Sequence, residues 1–120
     1  MVFRFSGINI SSTDPVKTFE FYKRLGFRVN EERAPDDKWY GAALALAGES
    51  DEPQIWIWRR QEGEETVVKN AFVFSTDGKL DETYQQFKAA GIDCRPPFTA
   101  VWGGQEMTLT DPDGNTLLFL

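Results

Sequence analysis

The sequence predicts an α+β fold made of two βαβββ units, and three observations carry this prediction. Short segments alternate apolar and polar residues, which is typical of strands, while two other segments place apolar residues every three to four positions, as amphipathic helices do. The pattern of segments in the first half of the chain recurs in the second half. Glycine, proline, aspartate and asparagine separate the segments and predict turns between them.

The first unit opens with a strand and a helix. Phe3 to Ser11 alternates as a strand, with an irregularity at Gly7. Asp14-Pro15 predicts a helix start, because the aspartate can cap free backbone N–H groups and the fixed φ of proline suits the first helical position. Gly26 then ends the helix. The apolar stripe of this helix consists of Val16, Phe19, Tyr22 and Leu25.

Three more strands follow in the first unit. Phe27 to Val29 is a short strand, and Glu31 to Lys38 is expected to be a charged loop. Trp39 to Leu46 is apolar throughout, which predicts a strand packed on both faces. Gly48 to Pro53 has the composition of a turn, so Gln54 to Trp58 should pair with the preceding strand as an antiparallel hairpin.

An internal repeat defines the second unit. Arg59 to Glu65 is polar, unpatterned and short, and we interpret it as the linker between repeat units of about 1–60 and 66–120. Asn70 to Asp77 resembles Gly7 to Asp14, because each segment ends in Ser-Thr-Asp at the expected head of a helix. Such self-similarity indicates one supersecondary unit used twice within a single domain.

The rest of the second unit repeats the pattern of the first. Lys88 to Ile92 is similar to Lys23 to Phe27, so a glycine again ends the helix. Gln105 to Thr110 and Thr116 to Leu120 are predicted strands, and Asp111-Pro-Asp-Gly-Asn115 is a strong turn signal between them. The apolar stripe of the second helix consists of Leu80, Tyr84 and Phe87.

Composition excludes several classes of function. The net charge of −6 argues against nucleic acid, because phosphate contacts require clustered lysine and arginine. No stretch approaches the ~18 apolar residues of a membrane span, so we expect a soluble protein with no membrane partner. Cys94 is the only cysteine and cannot form an intramolecular disulfide, which favours a cytoplasmic location.

The chain resembles the vicinal-oxygen-chelate superfamily, which comprises glyoxalases, bleomycin-resistance proteins and dioxygenases. Two segments carry the resemblance together with the repeat: the helix end Phe21-Tyr-Lys-Arg-Leu-Gly-Phe27, and Asp111 to Asn115 followed by an apolar strand. The resemblance covers nearly the whole chain. It implies eight strands in a curved mixed sheet around a cavity, with the helices outside and often with a homodimer completing the fold.

The resemblance also locates the metal ligands that enzymes of this superfamily use. They hold a divalent metal with His and Glu side chains, whereas the matching positions here are Gly7, Trp56, Asn70 and Leu118. The chain contains no histidine, so a histidine-rich site for zinc, nickel or iron cannot form. We therefore expect neither a metal nor another cofactor.

Strand alternation predicts which side chains line the expected cavity. With Ile8 and Ile10 on the helix side, Asn9 faces the cavity, and the repeat and the later strands extend this face. Val101 to Asn115 resembles the Trp-Gly, Glu-bearing strand and turn of bleomycin-resistance proteins. Glu106 lies either in the cleft as a counter-charge or on an exposed strand face. The predicted ligand-binding residues are Asn9, Trp39, Trp56, Trp58, Phe72, Phe74, Trp102, Glu106 and Leu118.

The predicted function is metal-free binding of a small molecule. Aromatic residues make up 14% of the chain, and aromatic faces suit planar aromatic ligands that are neutral or cationic. The resemblance implies sequestration of such a ligand by a homodimer, as in antibiotic resistance, with no catalytic residues. One alternative is a metal-independent lyase or isomerase that uses Glu32, Asp37 or Glu106. Others are a non-catalytic interaction domain with a vestigial cavity and a metal enzyme with different ligands.

Overall fold

Two units make up the chain, Met1–Val67 and Val68–Leu120. The computed structural model describes residues 7–33, 40–46, 53–60, 62, 70–100 and 102–120. Each unit contains one helix and four strands in the predicted order. In the first they are β1 (Gly7–Ser12), α1 (Pro15–Arg24), β2 (Arg28–Glu32), β3 (Gly41–Ala45) and β4 (Gln54–Arg59). In the second they are β5 (Ala71–Phe74), α2 (Leu80–Ala89), β6 (Phe98–Thr99), β7 (Gln105–Thr110) and β8 (Thr116–Phe119).

The strands form two mixed four-stranded sheets with the same topology. Their orders are β1-β4-β3-β2 and β5-β8-β7-β6. In each sheet the first strand of the unit runs parallel to the last, and the other pairs are antiparallel. The predicted α+β class and the eight strands are confirmed. One continuous eight-stranded sheet was expected, but the described residues form two four-stranded sheets, each built from the strands of one unit.

Helix α1 begins where the sequence predicts. A side-chain oxygen of Asp14 accepts a hydrogen bond of 3.2 Å from the Lys17 N–H, and Pro15 occupies the first turn. Gly26 follows the helix with φ of 101°, a left-handed conformation that glycine adopts without a β-carbon clash. The helix buries Phe19 and Tyr22 against its sheet.

Helix α2 begins later than predicted. Asp77 and Gly78 adopt left-handed φ values of 54° and 80°, and the first helical residue is Leu80. Asp77 therefore belongs to a turn, in which its N–H donates to the Ser75 hydroxyl, and it does not cap the helix. Each helix has ten residues. Within the described residues no helix is long and apolar enough to cross a membrane.

The middle strands of the first unit match the expected hairpin. β3 pairs antiparallel with β4, and all five β3 residues are buried, as predicted for a strand covered on both faces. The predicted charged loop is partly wrong, because β2 continues through Glu31 and Glu32 after a bulge. Trp39 lies outside the described residues.

The Asp-Pro-Asp-Gly-Asn segment is a buried structural turn. The Asp111 carboxylate accepts hydrogen bonds from the backbone N–H groups of Asp113 and Asn115 and from the Asn115 side-chain amide. The Asn115 side-chain oxygen in turn accepts from the Asn70 N–H at 2.9 Å. Both side chains are almost fully buried. The segment therefore ties the β7–β8 hairpin to the start of β5.

Candidate functional site

Each sheet has one face covered by its helix and one open face opposite the helix. In the first unit the Ser12 hydroxyl donates to the Thr18 hydroxyl of α1 at 3.3 Å, which fixes the helix side of β1. Ile10 is 4% exposed and lies on that side by alternation, together with its β4 partner Ile57. The open face therefore carries the intervening residues of each strand.

The open face of the first sheet contains a row of four residues centred on tryptophan. Strand register places Asn9 on β1 beside Trp56 on β4, then Ala43 on β3 and Glu31 on β2. Trp56 is half-buried, whereas Asn9 and Glu31 are exposed. An indole on this face is thus flanked by an amide on one side and, two strands away, by a carboxylate. Sequence alternation predicted this position of Asn9 and Trp56.

Trp58 lies in the next row, and both a glycine and an arginine contact its ring. A β-carbon on Gly41 would overlap the Trp58 ring carbons Cε3 and Cζ3, so the indole lies directly on the glycine. The Arg33 guanidinium lies over the same ring at 5.6 Å from its centroid, which is within cation–π range. Trp58 is on the predicted face, but these contacts hold its ring in place.

The row on the other side of Trp56 is polar. The Asn30 side-chain amide on β2 donates to the Gln54 side-chain oxygen on β4 at 2.8 Å. Gln54 pairs with Ala45 on β3, so the hydrogen bond spans the middle strand. Trp56 consequently lies between an amide pair and the stack of Arg33 on Trp58.

The open face of the second sheet is apolar with one acidic group. Leu118 on β8 pairs with Val73 on β5 and Thr108 on β7, and Glu106 pairs with Phe98 on β6. Val73 is 62% exposed and Phe98 is 43% exposed. Glu106 is half-buried on this face. Strand register thus places Glu106 on the open face.

The predicted position of Phe72 and Phe74 on the open face is wrong. Phe74 stacks on Phe119 with ring centroids 5.2 Å apart, and Phe119 contacts Phe87 of α2, so both rings lie on the helix side. Phe72 is 6% exposed and pairs with the buried Leu117.

The physical reason for this error is one additional residue in the second unit. The Arg60 N–H donates to the Ser12 carbonyl, and the corresponding bond runs from the Leu120 N–H to the Phe74 carbonyl. Phe74 is thus the structural counterpart of Ser12, although alignment on Ser-Thr-Asp matches Ser12 with Ser75. A shift by one residue exchanges the two faces of a strand.

Trp102 lies in the short connection between β6 and β7. Its side chain is 63% exposed, and a β-carbon on Gly104 would overlap its ring carbons Cη2 and Cζ3. The loop backbone is held by hydrogen bonds from the Gly103 N–H to the Ala100 carbonyl and from the Ala100 N–H to the Gly104 carbonyl, at 2.9 and 2.8 Å. The indole therefore rests on its own loop.

A cavity of about 470 Å³ lies at the start of α2, away from the predicted site residues. Its lining is partly polar and partly apolar, and its charged residues are Lys79, Asp81 and Glu82. None of the nine predicted ligand-binding residues lines it. No pattern in the sequence predicted this cavity.

The residues at the superfamily's metal positions do not fit a metal ion. Gly7 has φ of 144°, and a side chain there would overlap the Gln54 backbone carbonyl. Trp56 offers only an N–H donor and Leu118 has no polar atom. The one-residue shift that takes Phe72 and Phe74 off the open face also takes Asn70 off it, so its amide is not aimed at this position. Among the described residues no three His, Cys, Asp or Glu side chains are grouped as a metal site would require.

Within the part of the chain that the structure describes, the pKa values of Cys94 and Tyr40 are shifted, and neither shift supports nucleophilic chemistry. Burial raises the pKa of the Cys94 thiol, and the neighbouring Asp93 carboxylate adds to this, so the reactive thiolate is disfavoured. Burial and then the Glu32 carboxylate raise the pKa of Tyr40 to about 12, which keeps its phenol protonated at neutral pH.

The topology and the two open faces define a protein of the paired βαβββ class. The chain belongs to the glyoxalase/bleomycin resistance protein/dioxygenase superfamily, whose family model matches residues 4–119. No curated protein sequence matches it significantly.

Several solved structures share the fold. A bleomycin-binding protein complexed with bleomycin has a TM-score of 0.69 and 24% identity, with 98% of this chain and 97% of that chain covered. A bleomycin resistance determinant encoded on the transposon Tn5 has a TM-score of 0.65 and 25% identity, with 92% and 91% covered. TnmS3, an antibiotic-binding protein from Streptomyces sp. CB03234, has a TM-score of 0.74 and 18% identity, with 99% and 96% covered.

Proposed function

We propose that this chain is a small-molecule binding protein of the antibiotic-binding type, and that its ligand is a planar aromatic molecule, neutral or cationic. The observation that carries the proposal is Trp56, which is half-buried on the open face between Asn9 and Glu31. An indole face binds planar rings by stacking and cations through its quadrupole. The flanking amide and carboxylate can hydrogen-bond polar groups at the ligand's edge.

Proteins of the same fold that bind antibiotics support the same proposal. A bleomycin-binding protein and a transposon-encoded bleomycin resistance determinant share this fold over more than nine-tenths of the chain. We propose binding without a metal, because Gly7 cannot carry a ligand side chain and Trp56 offers no acceptor. The net charge of −6 also favours the approach of cations over that of anions at low salt.

The experiment titrates the protein with bleomycin, with the planar cation proflavine and with the planar anion 2-naphthalenesulfonate, read by tryptophan fluorescence and by calorimetry. We expect binding of at least one of the first two and weaker binding of the anion. Trp56→Ala should weaken that binding about fivefold or more, since stacking contributes about 1 kcal/mol.

A matched control is Val29→Ala. Val29 is 38% exposed on the same sheet and pairs with Leu44, which places it on the helix side. Its substitution should leave binding unchanged. Binding of the anion alone, or equal loss in both variants, would contradict the proposed site.

We further propose that the protein acts as a homodimer. Val73, Phe98 and Leu120 leave exposed apolar side chains on or beside the second sheet, and burial of such a surface in a partner interface is favourable. Sedimentation at micromolar concentration should give twice the chain mass of 13.7 kDa. A single species at the chain mass would contradict the dimer and would leave the binding titration to decide the ligand proposal by itself.

A further inference from the structure

Among the described residues, Trp58 and Trp102 each occupy the space that a β-carbon on a nearby glycine would fill, and they differ in what else contacts the ring. Trp58 lies against Gly41, and the Arg33 guanidinium lies over its ring at 5.6 Å from the centroid. Trp102 lies on Gly104 and is 63% exposed. At Trp58 the Arg33 guanidinium is a planar cation that lies over the indole. At Trp102 the indole is exposed to solvent.

We propose that Gly104 is a positioning residue, which keeps the Trp102 indole flat on the β6–β7 loop so that its outer face can stack a planar cation. The inference rests on the proposed binding function and assigns a role to a residue without a side chain. Gly104 acts only through Trp102, because a β-carbon at this position would occupy the space of the ring.

The loop that carries Trp102 is suited to hold the ring in one orientation. Two backbone hydrogen bonds close the loop between Ala100 and Gly104. The Gln105 side-chain amide donates to the Thr99 hydroxyl at 2.7 Å and links the strands on either side. With the backbone fixed, the indole orientation depends on what lies beneath it. An orientation set before binding saves the conformational entropy that a mobile side chain would lose.

Gly104→Ala should change the orientation of the Trp102 ring and should have little effect on the free energy of unfolding. Unlike Gly103, which has φ of 96°, Gly104 is not in the left-handed region, so its backbone can accept alanine. The atoms that an added methyl group would meet are the outer carbons of an exposed side chain, which can swing away into solvent. We therefore expect the variant to fold and the ring to tilt off the loop.

The first arm of the test needs no ligand. Protein labelled with 5-fluorotryptophan should give one ¹⁹F resonance for each of the four tryptophans, and Trp102→Phe assigns the resonance of Trp102. Gly104→Ala should move this resonance and leave the other three in place. An unmoved Trp102 resonance would overturn the proposal, because the glycine would then have no influence on the ring.

The second arm measures proflavine binding in a double-mutant cycle. Gly104→Ala should weaken binding about three- to tenfold, as expected for loss of one stacked cation. It should have no further effect in the Trp102→Ala background, because the two residues act as one unit. The control Thr110→Ala, on an exposed β7 position, should change nothing.

The outcomes separate the two proposals. A moved resonance with unchanged proflavine binding, or additive effects in the cycle, would refute the positioning role and leave the proposed function intact. If neither proflavine nor bleomycin binds the unmodified protein, the proposed function fails in its own titration, and the stacking role of Trp102 fails with it.

Discussion

Replacement of Tyr40 by phenylalanine should stabilise the protein. Tyr40 is fully buried, and its hydroxyl has no hydrogen-bond partner of ordinary geometry among the described residues. The substitution removes only this oxygen and keeps the ring that packs in the core. A buried hydroxyl without a partner costs about 1 to 3 kcal/mol, so the free energy of unfolding at neutral pH should rise by about 1 kcal/mol or more.

The same group makes stability depend on pH in the alkaline range. The pKa of Tyr40 is raised from 10.0 to about 12, first by burial and then by the Glu32 carboxylate. Above pH 10 the unfolded chain releases this proton while the folded chain retains it, so stability falls as pH rises from 10 towards 12. Below pH 10 the contribution is constant. At about 1.4 kcal/mol per pKa unit, the total loss is about 2 to 3 kcal/mol.

Urea denaturation of the wild type and of Tyr40→Phe, at about pH 7 and through the alkaline range, measures both effects. The difference in unfolding free energy between the two proteins should widen above pH 10 in favour of the variant. The control Tyr84→Phe, on the surface of α2, should follow the wild type. A less stable Tyr40→Phe variant at neutral pH would refute the reasoning, because the hydroxyl would then have to donate to Glu32 in solution.

Two further substitutions test the local chemistry of the fold. Asp14→Ala removes the side chain that caps α1 and should lower the unfolding free energy by about 1 kcal/mol, whereas Asp14→Ser should keep most of the stability of the wild type. Thermal unfolding followed by circular dichroism measures both variants. Equal stability of the two variants would argue against the cap. Asn115→Ala removes the hydrogen bonds that the buried side-chain amide makes with the Asp111 carboxylate and with the Asn70 N–H, and it should cost about 2 to 4 kcal/mol in urea denaturation. A loss below about 1 kcal/mol would mean that water replaces the amide.

Local patterns in the sequence were sufficient to predict most of the helices and strands. The start of α1 follows from Asp14-Pro15 because capping depends on groups only three residues apart. The hairpin of β3 and β4 and the exposure of Trp56 on the open face follow from alternation, which is a property of the strand itself. The sequence predicted that the segment containing the small-residue strand Gly41–Ala45 is packed on both faces. It did not predict that the Trp58 ring lies against Gly41.

The face assignment in the second unit shows where a repeat misleads. Phe72 and Phe74 were placed by analogy with the first unit, and the analogy failed because the strand and the following turn are offset from each other by one residue. Strand orientation is set by hydrogen bonds to β8 and by packing on α2. Neither interaction is encoded in the Ser-Thr-Asp motif that suggested the alignment.

The sequence by itself determined the two-unit α+β fold, the cap of α1, the Asp111 to Asn115 turn and the lack of the usual metal ligands, because each depends on residue type or on neighbours a few positions away. Only the tertiary structure decided how the aromatic rings can be used. Trp58 is contacted by Gly41 and Arg33, and Trp102 is exposed above Gly104. The buried Tyr40 hydroxyl has no hydrogen-bond partner among the described residues. What covers a side chain is a property of chain segments brought together in space, and alternation along one strand specifies only the direction in which that side chain points.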